Sequence, residues 1–388
     1  MQTTTRACAL VSLCFAVVSC GGKDTAAPAA AVAVTATVAL SASKDSVQIL
    51  DSLQYSAVLK DATGATLSSP TVAWTSSSTT IATVSTTGKV KGVRPGSITL
   101  TATSSDNGKT GTATVRITEN WTAETGTRIA NTTSTCTIQL TDGTFRTWGS
   151  GITFRNSTDG LTWPTLSTTA GLIAPTGESL RNPAVVKLTN GTYVMIYESA
   201  PTTGAGVLRF YRATSPDAVT WTKVAGSGTN GAVMEPAVGD TNFISVPDLI
   251  LLTSGSIRMY FVAGGGHVET ATSADNGATW TREGPITITG ITTGRWHVDP
   301  DIIRLPDNTY RLYMAAPLTT GLSNKRIISA TGTDGRAFTL ESGERVAATN
   351  LTDDRVDPDV VLLSTGKYRM YFGFSTTGTY DLKSATSP

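Results

Sequence analysis

Two stretches of the chain gather the side chains that acid–base chemistry needs. One reads Arg295-Trp296-His297-Val298-Asp299-Pro300-Asp301 and the other Asp353-Asp354-Arg355-Val356-Asp357-Pro358-Asp359. Shorter counterparts stand at Arg181-Asn182-Pro183 and at Ser245-Val246-Pro247-Asp248. Paired carboxyl groups can divide acid and base roles when their surroundings push their pKa values apart, and arginines grip carboxylates through a planar fork. Asp248, Asp301 and Asp359 recur at one position of the unit, as a repeated structural hydrogen-bonder would. Asp299 and Asp357 occur in only two copies, which marks them for chemistry. His267 and His297 lack metal-ligand spacing, so no metal is expected, and no cofactor is implied.

The elements that position these residues follow from repeats. A Leu-x-x-Gly-x-aromatic unit starts at Leu140, Leu188, Leu252, Leu305 and Leu363, with Ile257 in the aromatic position of the third copy and Asn308 in the glycine position of the fourth. An apolar run precedes each turn and another follows, the pattern of β-hairpins whose turn residue needs positive φ. A second repeat lies out of phase with the first: Ser157-Thr-Asp159, Ser215-Pro-Asp217, Ser273-Ala-Asp275 and Thr333-Asp334, each followed by Trp163, Trp221, Trp280 or Phe338. A fifth such box is missing. The chain ends at Ala385-Thr386-Ser387-Pro388, and Glu119-Asn120-Trp121-Thr122 read like the missing remainder. The strand around Trp121 is therefore expected to complete the last blade of a five-bladed β-propeller over residues 119–388, closing the ring and removing its sheet edges.

In a four-stranded blade, the start of the innermost strand and the connection between the second and third strands share one face of the central channel. Arg181, Asn182, Arg295, Trp296, His297 and Arg355 come from the first place, and Trp148, Glu198 and His267 from the second. Carboxylates, arginines and aromatic rings on one rim suit a carbohydrate, whose hydroxyls accept polar contacts and whose ring faces stack. A polysaccharide or glycan is thus the expected partner. Net charge is only +1, with 15% charged residues, and gives no footprint for nucleic acid.

Upstream, residues 1–20 read as an export signal: Arg6, an apolar run from Ala7 to Val18, and Val17-Val18-Ser19-Cys20. The run is too short to span a bilayer in the mature protein. Val-Val-Ser-Cys resembles the lipobox of bacterial lipoproteins, which implies lipidation at Cys20. The expected location is the bacterial cell envelope, lipid-anchored and facing the periplasm or cell exterior, with the membrane touched only through this anchor. Residues 21–33, rich in Gly, Ala, Pro and Thr, read as a flexible linker. Alternating short strands follow at 35–40, 53–59, 72–76, 81–85, 97–102 and 111–117, the spacing of a β-sandwich. Val72-Ala73-Trp74-Thr75-Ser76-Ser77, Ile81-Ala82-Thr83-Val84-Ser85, Gly88-Lys89-Val90 and Gly96-Ser97-Ile98-Thr99-Leu100 resemble the group 2 bacterial Ig-like domain, placed at 34–118. The fold class is all-β, an Ig-like sandwich followed by a propeller.

The repeated aspartates resemble the Asp-boxes of sialidases, which are structural turns. Asp299-Pro300-Asp301-Ile302-Ile303-Arg304-Leu305 and Asp357-Pro358-Asp359-Val360-Val361-Leu362-Leu363 resemble the inner strands of five-bladed glycoside hydrolases of family 43 and the arabinanases. That resemblance implies hydrolysis by paired carboxylates, with Asp299 and Asp357 as base and modulator and Glu198 as acid. The chain departs from the family pattern: the first blade reads Ser134-Thr135-Cys136 where a carboxylate belongs, and Asn182 stands where an aspartate would. Three readings stay open at this point: a glycoside hydrolase, a non-catalytic glycan-binding or adhesive lipoprotein, and a sialidase-like enzyme using Arg181, Arg295 and Arg355 as a cluster.

Overall fold

The structure, a computed structural model, describes residues 32–387 apart from 50, 69, 120, 165, 169–171, 173, 175, 204–205, 292–295, 318–323, 342 and 348–351. Cys20 and Arg295 lie outside the described residues.

The N-terminal unit is a β-sandwich. One sheet orders Ser46–Gln48, Thr110–Thr118, Gly96–Ser104 and Val72–Ser76, and the other Ser52–Gln54, Lys89–Gly92 and Ala82–Val84, while Thr37–Ser41 pairs with Ser56–Lys60. Alternation along Gly96–Ser104 sends Ile98, Leu100 and Ala102 inward and leaves Ser97 and Thr99 exposed, the period of 2 that a half-buried strand requires. Val47, Leu53, Tyr55, Val90, Ile98, Leu100, Val115 and Ile117 form the core, with Trp74 packed against its edge. Gly88 turns at φ 82° directly beneath Trp74, and a Cβ there would meet the indole at 2.8 Å, so both the turn and the ring demand glycine.

Residues 122–386 form five sheets, antiparallel throughout except that Thr287–Thr289 pairs parallel with Ala337–Leu340 at the outer edge of the fourth. Their first strands, Cys136–Gln139, Glu178–Lys187, Ile244–Leu251, Val298–Arg304 and Asp354–Leu362, touch each other in a closed cycle around a channel. Each sheet runs outward from that strand through a hairpin whose glycine or asparagine turns at positive φ: Gly143, Gly191, Gly255, Asn308 and Gly366. Apolar faces of adjacent blades pack together, as where Trp148 meets Trp221 edge-on at 5.9 Å and Phe210 meets Phe261 at 5.8 Å. The repeated aspartates brace the outer turns. Asp159 accepts hydrogen bonds from the Leu161 and Thr162 N–H groups, Asp217 from Val219 and Thr220, and Asp334 from Arg336 and Ala337. The N–H groups of Thr162 and Leu161 hold the Asp159 carboxyl well below the usual carboxylate range.

The fifth sheet draws on both ends of this region. Thr122–Ala123 pairs antiparallel with Asp381–Thr386, Thr122 opposite Thr386 and Ala123 opposite Ala385. Two residue pairs are a weak ladder, and the junction is held by side chains. Trp121 is buried and stands edge-on to Tyr313 at 5.8 Å, and its N–H donates to the Arg345 carbonyl at 2.8 Å. Glu119, 2% exposed, accepts from Arg311 at 3.0 Å and Arg345 at 3.4 Å, and Glu341 completes the network against Arg311. Buried charges persist only when paired in this way.

Closure therefore depends on residues that precede the first complete blade. Trp121→Ala is expected to cost about 3–5 kcal/mol of stability, read as a lowered midpoint in chemical denaturation; an unchanged midpoint would show that the ring closes without this strand.

Candidate functional site

Every inner strand enters the channel through the same backbone distortion. Ser134, Asn182, Val246, Asp299 and Asp357 hold equivalent positions and have φ of 50°, 48°, 49°, 55° and 50°. In four of the five, a proline follows and the ladder register slips: between Arg181 and Ala184, Ser245 and Asp248, Val298 and Asp301, and Val356 and Asp359. The proline has no N–H to lose, so a bulge is where it fits. Non-glycine residues at positive φ cost of order 1 kcal/mol or more each, and Val246 is β-branched, which makes the conformation harder still.

Two residues beyond the positive-φ residue, a side chain reaches across to the next blade in four of the five cases. Asp248 accepts a hydrogen bond from the Ile302 N–H at 2.7 Å, Asp301 from Val360 at 3.2 Å, and Asp359 from Thr137 at 3.1 Å. In the first blade the position is Cys136, whose Sγ accepts the equivalent bond from the Val185 N–H at 3.3 Å. The second blade has Ala184 there and uses another device. Its Glu198 accepts from Ser245 of the third blade, and Asn182 Nδ2 reaches both Glu198 at 3.0 Å and Ser245 at 3.3 Å. All five inter-blade contacts at the channel mouth are thus bridged by a side chain.

These carboxyls are crowded into a channel with little water. The cavity they line leaves about 30 Å³, the scale of a single water molecule. Burial pushes Asp248 and Asp359 up to about 7. Asp301 is raised well above the usual range by burial, then by Asp248 and Asp359, and its Oδ2 has no partner. Asp299 is raised well above by burial and by the neighbouring Asp357 carboxylate. Asp357 is raised by burial against the opposing pull of Thr133 and Ser134, the Thr133 hydroxyl donating at 2.5 Å. The two are adjacent: Asp299 Oδ2 accepts from the Asp357 N–H at 3.4 Å. Both remain half-exposed at the mouth. Beside them Asp354 accepts from the Tyr380 hydroxyl at 2.5 Å and faces the Lys325 ammonium at 3.5 Å. Among the described residues no group of three or more His, Cys, Asp or Glu side chains is disposed to hold a metal ion.

The remaining candidates separate. Trp296 is 40% exposed and lies so close over Gly266 that a Cβ there would stand 2.3 Å from its ring; the His297 N–H donates to the Gly266 carbonyl. His267 faces Glu269 at 3.0 Å, which in turn pairs with Arg282. Trp296, His297 and His267 therefore gather at one turn of the rim. Glu198 is 0% exposed, and its oxygens are taken by Arg181, Asn182 and Ser245, so nothing of it faces a substrate. Arg355 is 3% exposed, pairs with Asp353 at 3.3 Å and packs over Phe374 at 5.4 Å. The expected arginine cluster is absent among the described residues, because Arg181 and Arg355 are spent on neighbouring carboxylates. Trp148 is fully buried against Trp221, a core residue beneath a groove over the first blade. Sequence reasoning missed the threonines: Thr133, Thr135 and Thr137 all bond Asp357 or Asp359, and their i, i+2 alternation before an inner strand was the available signal.

Comparison with known proteins agrees with this architecture. Residues 33–115 match the bacterial Ig-like domain (group 2). No curated protein is similar to the chain in sequence. Among solved structures, similar folds include a thermostable family-43 glycoside hydrolase (12% identity, 68% of this chain and 91% of that one, TM-score 0.50). An exo-1,5-alpha-L-arabinanase from a bovine ruminal metagenomic library matches at 15% identity over 68% and 95%, TM-score 0.50. An endo-1,4-beta-xylanase from Bacteroides thetaiotaomicron matches at 11% over 68% and 92%, TM-score 0.50. At such identities the likeness is one of fold. The chain combines a group 2 bacterial Ig-like domain with a propeller shaped like those of family-43 hydrolases.

Carboxyls held protonated in the fold titrate at lower pH in the unfolded chain. Between about pH 4 and pH 7 the folded state therefore binds more protons, and stability falls as pH rises through that window. The melting temperature is expected to be higher at pH 5 than at pH 8, by about 2–4 °C for each kcal/mol involved, and Asp248→Asn should flatten the dependence in a pH series of thermal melts. A profile that rises toward pH 8 would contradict the assignment.

Proposed function

We propose that the propeller hydrolyses a glycan laid across its channel mouth, with Asp299 as the proton donor and Asp357 as the base. The observation that carries this reading is the adjacent, half-exposed pair: Asp299 is raised well above its ordinary range by burial and by Asp357, while Asp357 is supplied with hydrogen bonds from Thr133 and Ser134 that favour its charged form. Glycosidic cleavage needs one carboxyl that keeps its proton at working pH and one that does not. The exposed face of Trp296 offers a stacking platform on the same rim. Asp299 would protonate the departing glycosidic oxygen, and Asp357 would take the proton of the attacking water. Glu198, sealed by Arg181, Asn182 and Ser245, orients the rim and stays out of proton transfer.

A second reading, glycan binding without cleavage, is favoured by one observation: the first blade presents Ser134 and the second Asn182 where further carboxylates would complete a hydrolytic site. The envelope location belongs to both readings. The export signal and Cys20 support a lipid-anchored protein in which the Ig-like domain spaces the propeller from the membrane.

Reducing ends released from arabinan, xylan and acidic glycans separate the two readings. Asp299→Asn is expected to lower turnover about 10²–10⁴-fold in a protein that still melts cooperatively, whereas Glu198→Gln should lower stability first. No release by the wild-type protein that is nonetheless retained on a glycan column would establish binding alone. Labelled fatty acid should enter the wild-type chain and not Cys20→Ala.

A further inference from the structure

Resting on the glycan reading above, we propose that the groove over the first blade is a subsite for a carboxylate-bearing sugar, with Arg155 as its anion-binding group. The need for such a space follows from size. The cavity between the central aspartates admits a single water and no sugar ring, whereas the groove encloses about 250 Å³, a little below the usual range of ligand pockets and enough for part of a sugar chain. The two adjoin at Thr135, which lines both. Its hydroxyl donates to Asp359 at 3.1 Å, and Thr133, two residues earlier, holds Asp357. A chain laid across the carboxyl pair and extending past Thr135 would meet the groove.

Charge decides what the groove accepts. Its wall carries hydroxyls from Thr132, Ser150 and Thr153, the Asn131 amide and one cation, Arg155, with no carboxylate among the described residues. Other cavity-lining arginines are already committed. Arg146 is buried and bonds Asn156 and the Ala218 carbonyl, and Arg355 is paired with Asp353. Arg155 is half-exposed and makes one hydrogen bond, from Nη1 to the Pro164 carbonyl at 2.7 Å. That bond fixes the guanidinium and leaves the rest of its donor fork for a carboxylate, a match of geometry as well as charge. Neutral arabinose or xylose units would find hydroxyl partners here but nothing to use the cation. A uronic acid or a sialic acid would.

Calorimetric titration of the full chain with trigalacturonate, sialyllactose and arabinotriose tests this. At least one acidic probe is expected to bind more tightly than arabinotriose, and its affinity should fall with added salt. Arg155→Gln should weaken the acidic probe about tenfold or more while leaving arabinotriose and the melting curve unchanged, and Arg155→Lys should restore part of the loss. Equal acidic binding by Arg155→Gln, or a wild-type preference for arabinotriose, would overturn the subsite with the glycan reading intact. Binding of none of the three by the wild-type protein would overturn the glycan reading, and the subsite with it.

Discussion

The molecule depends on one repeated compromise: each inner strand enters the channel through a residue in the left-handed region, and in four of the five blades a side chain two positions later bonds the next blade. Without the bulge, those side chains would follow the strand's ordinary alternation and could not reach the neighbouring N–H groups. Without the cross-blade bond, the bulge would be strain with no return. The same geometry brings Asp299 and Asp357 together. The proposed acid–base pair and the cross-blade bonds of Asp301 and Asp359 thus share a backbone motif.

Variation around the ring shows how tolerant that motif is. Asp248, Asp301 and Asp359 bridge with an oxygen, Cys136 with sulfur, and the second blade shifts the duty to Glu198 and Asn182. A thiol is a weaker acceptor than a carboxylate, but it keeps the contact and introduces no charge where burial would oppose one. The cost of the arrangement is a cluster of acids in a nearly dry channel. The fold meets it by keeping protons on them rather than by supplying cations: the nearest ammonium, Lys325, is committed to Asp354.

Much of this was legible before any coordinates. Hairpin glycines recur because only a residue tolerant of positive φ can turn there, so the five Leu-x-x-Gly units announce the sheets, and the truncated final box points to a strand before residue 124. The Pro after Asp299 and Asp357 signals a break in the ladder and hence something unusual. Less legible was anything that depends on a partner from another strand. Glu198 reads as a rim carboxylate, and only its pairing with Arg181 on the adjacent strand and Ser245 on the next blade shows it to be structural. Arg355 reads as a rim cation, and only its pairing with Asp353 and its packing over Phe374 show it to be buried. Cys136 does not read as an acceptor at all until the Val185 N–H is seen pointing at it.

The closing strand has a mechanical side. The chain passes from the Ig-like domain straight into the outermost strand of the last blade, so any pull arriving along the chain from the N-terminal side is delivered to Glu119, Trp121 and the two residues that follow. The two-residue ladder at Thr122–Ala123 would unzip under modest load. The force instead meets a buried indole wedged against Tyr313 and a carboxylate clamped by two arginines, which must be extracted before the ladder is reached.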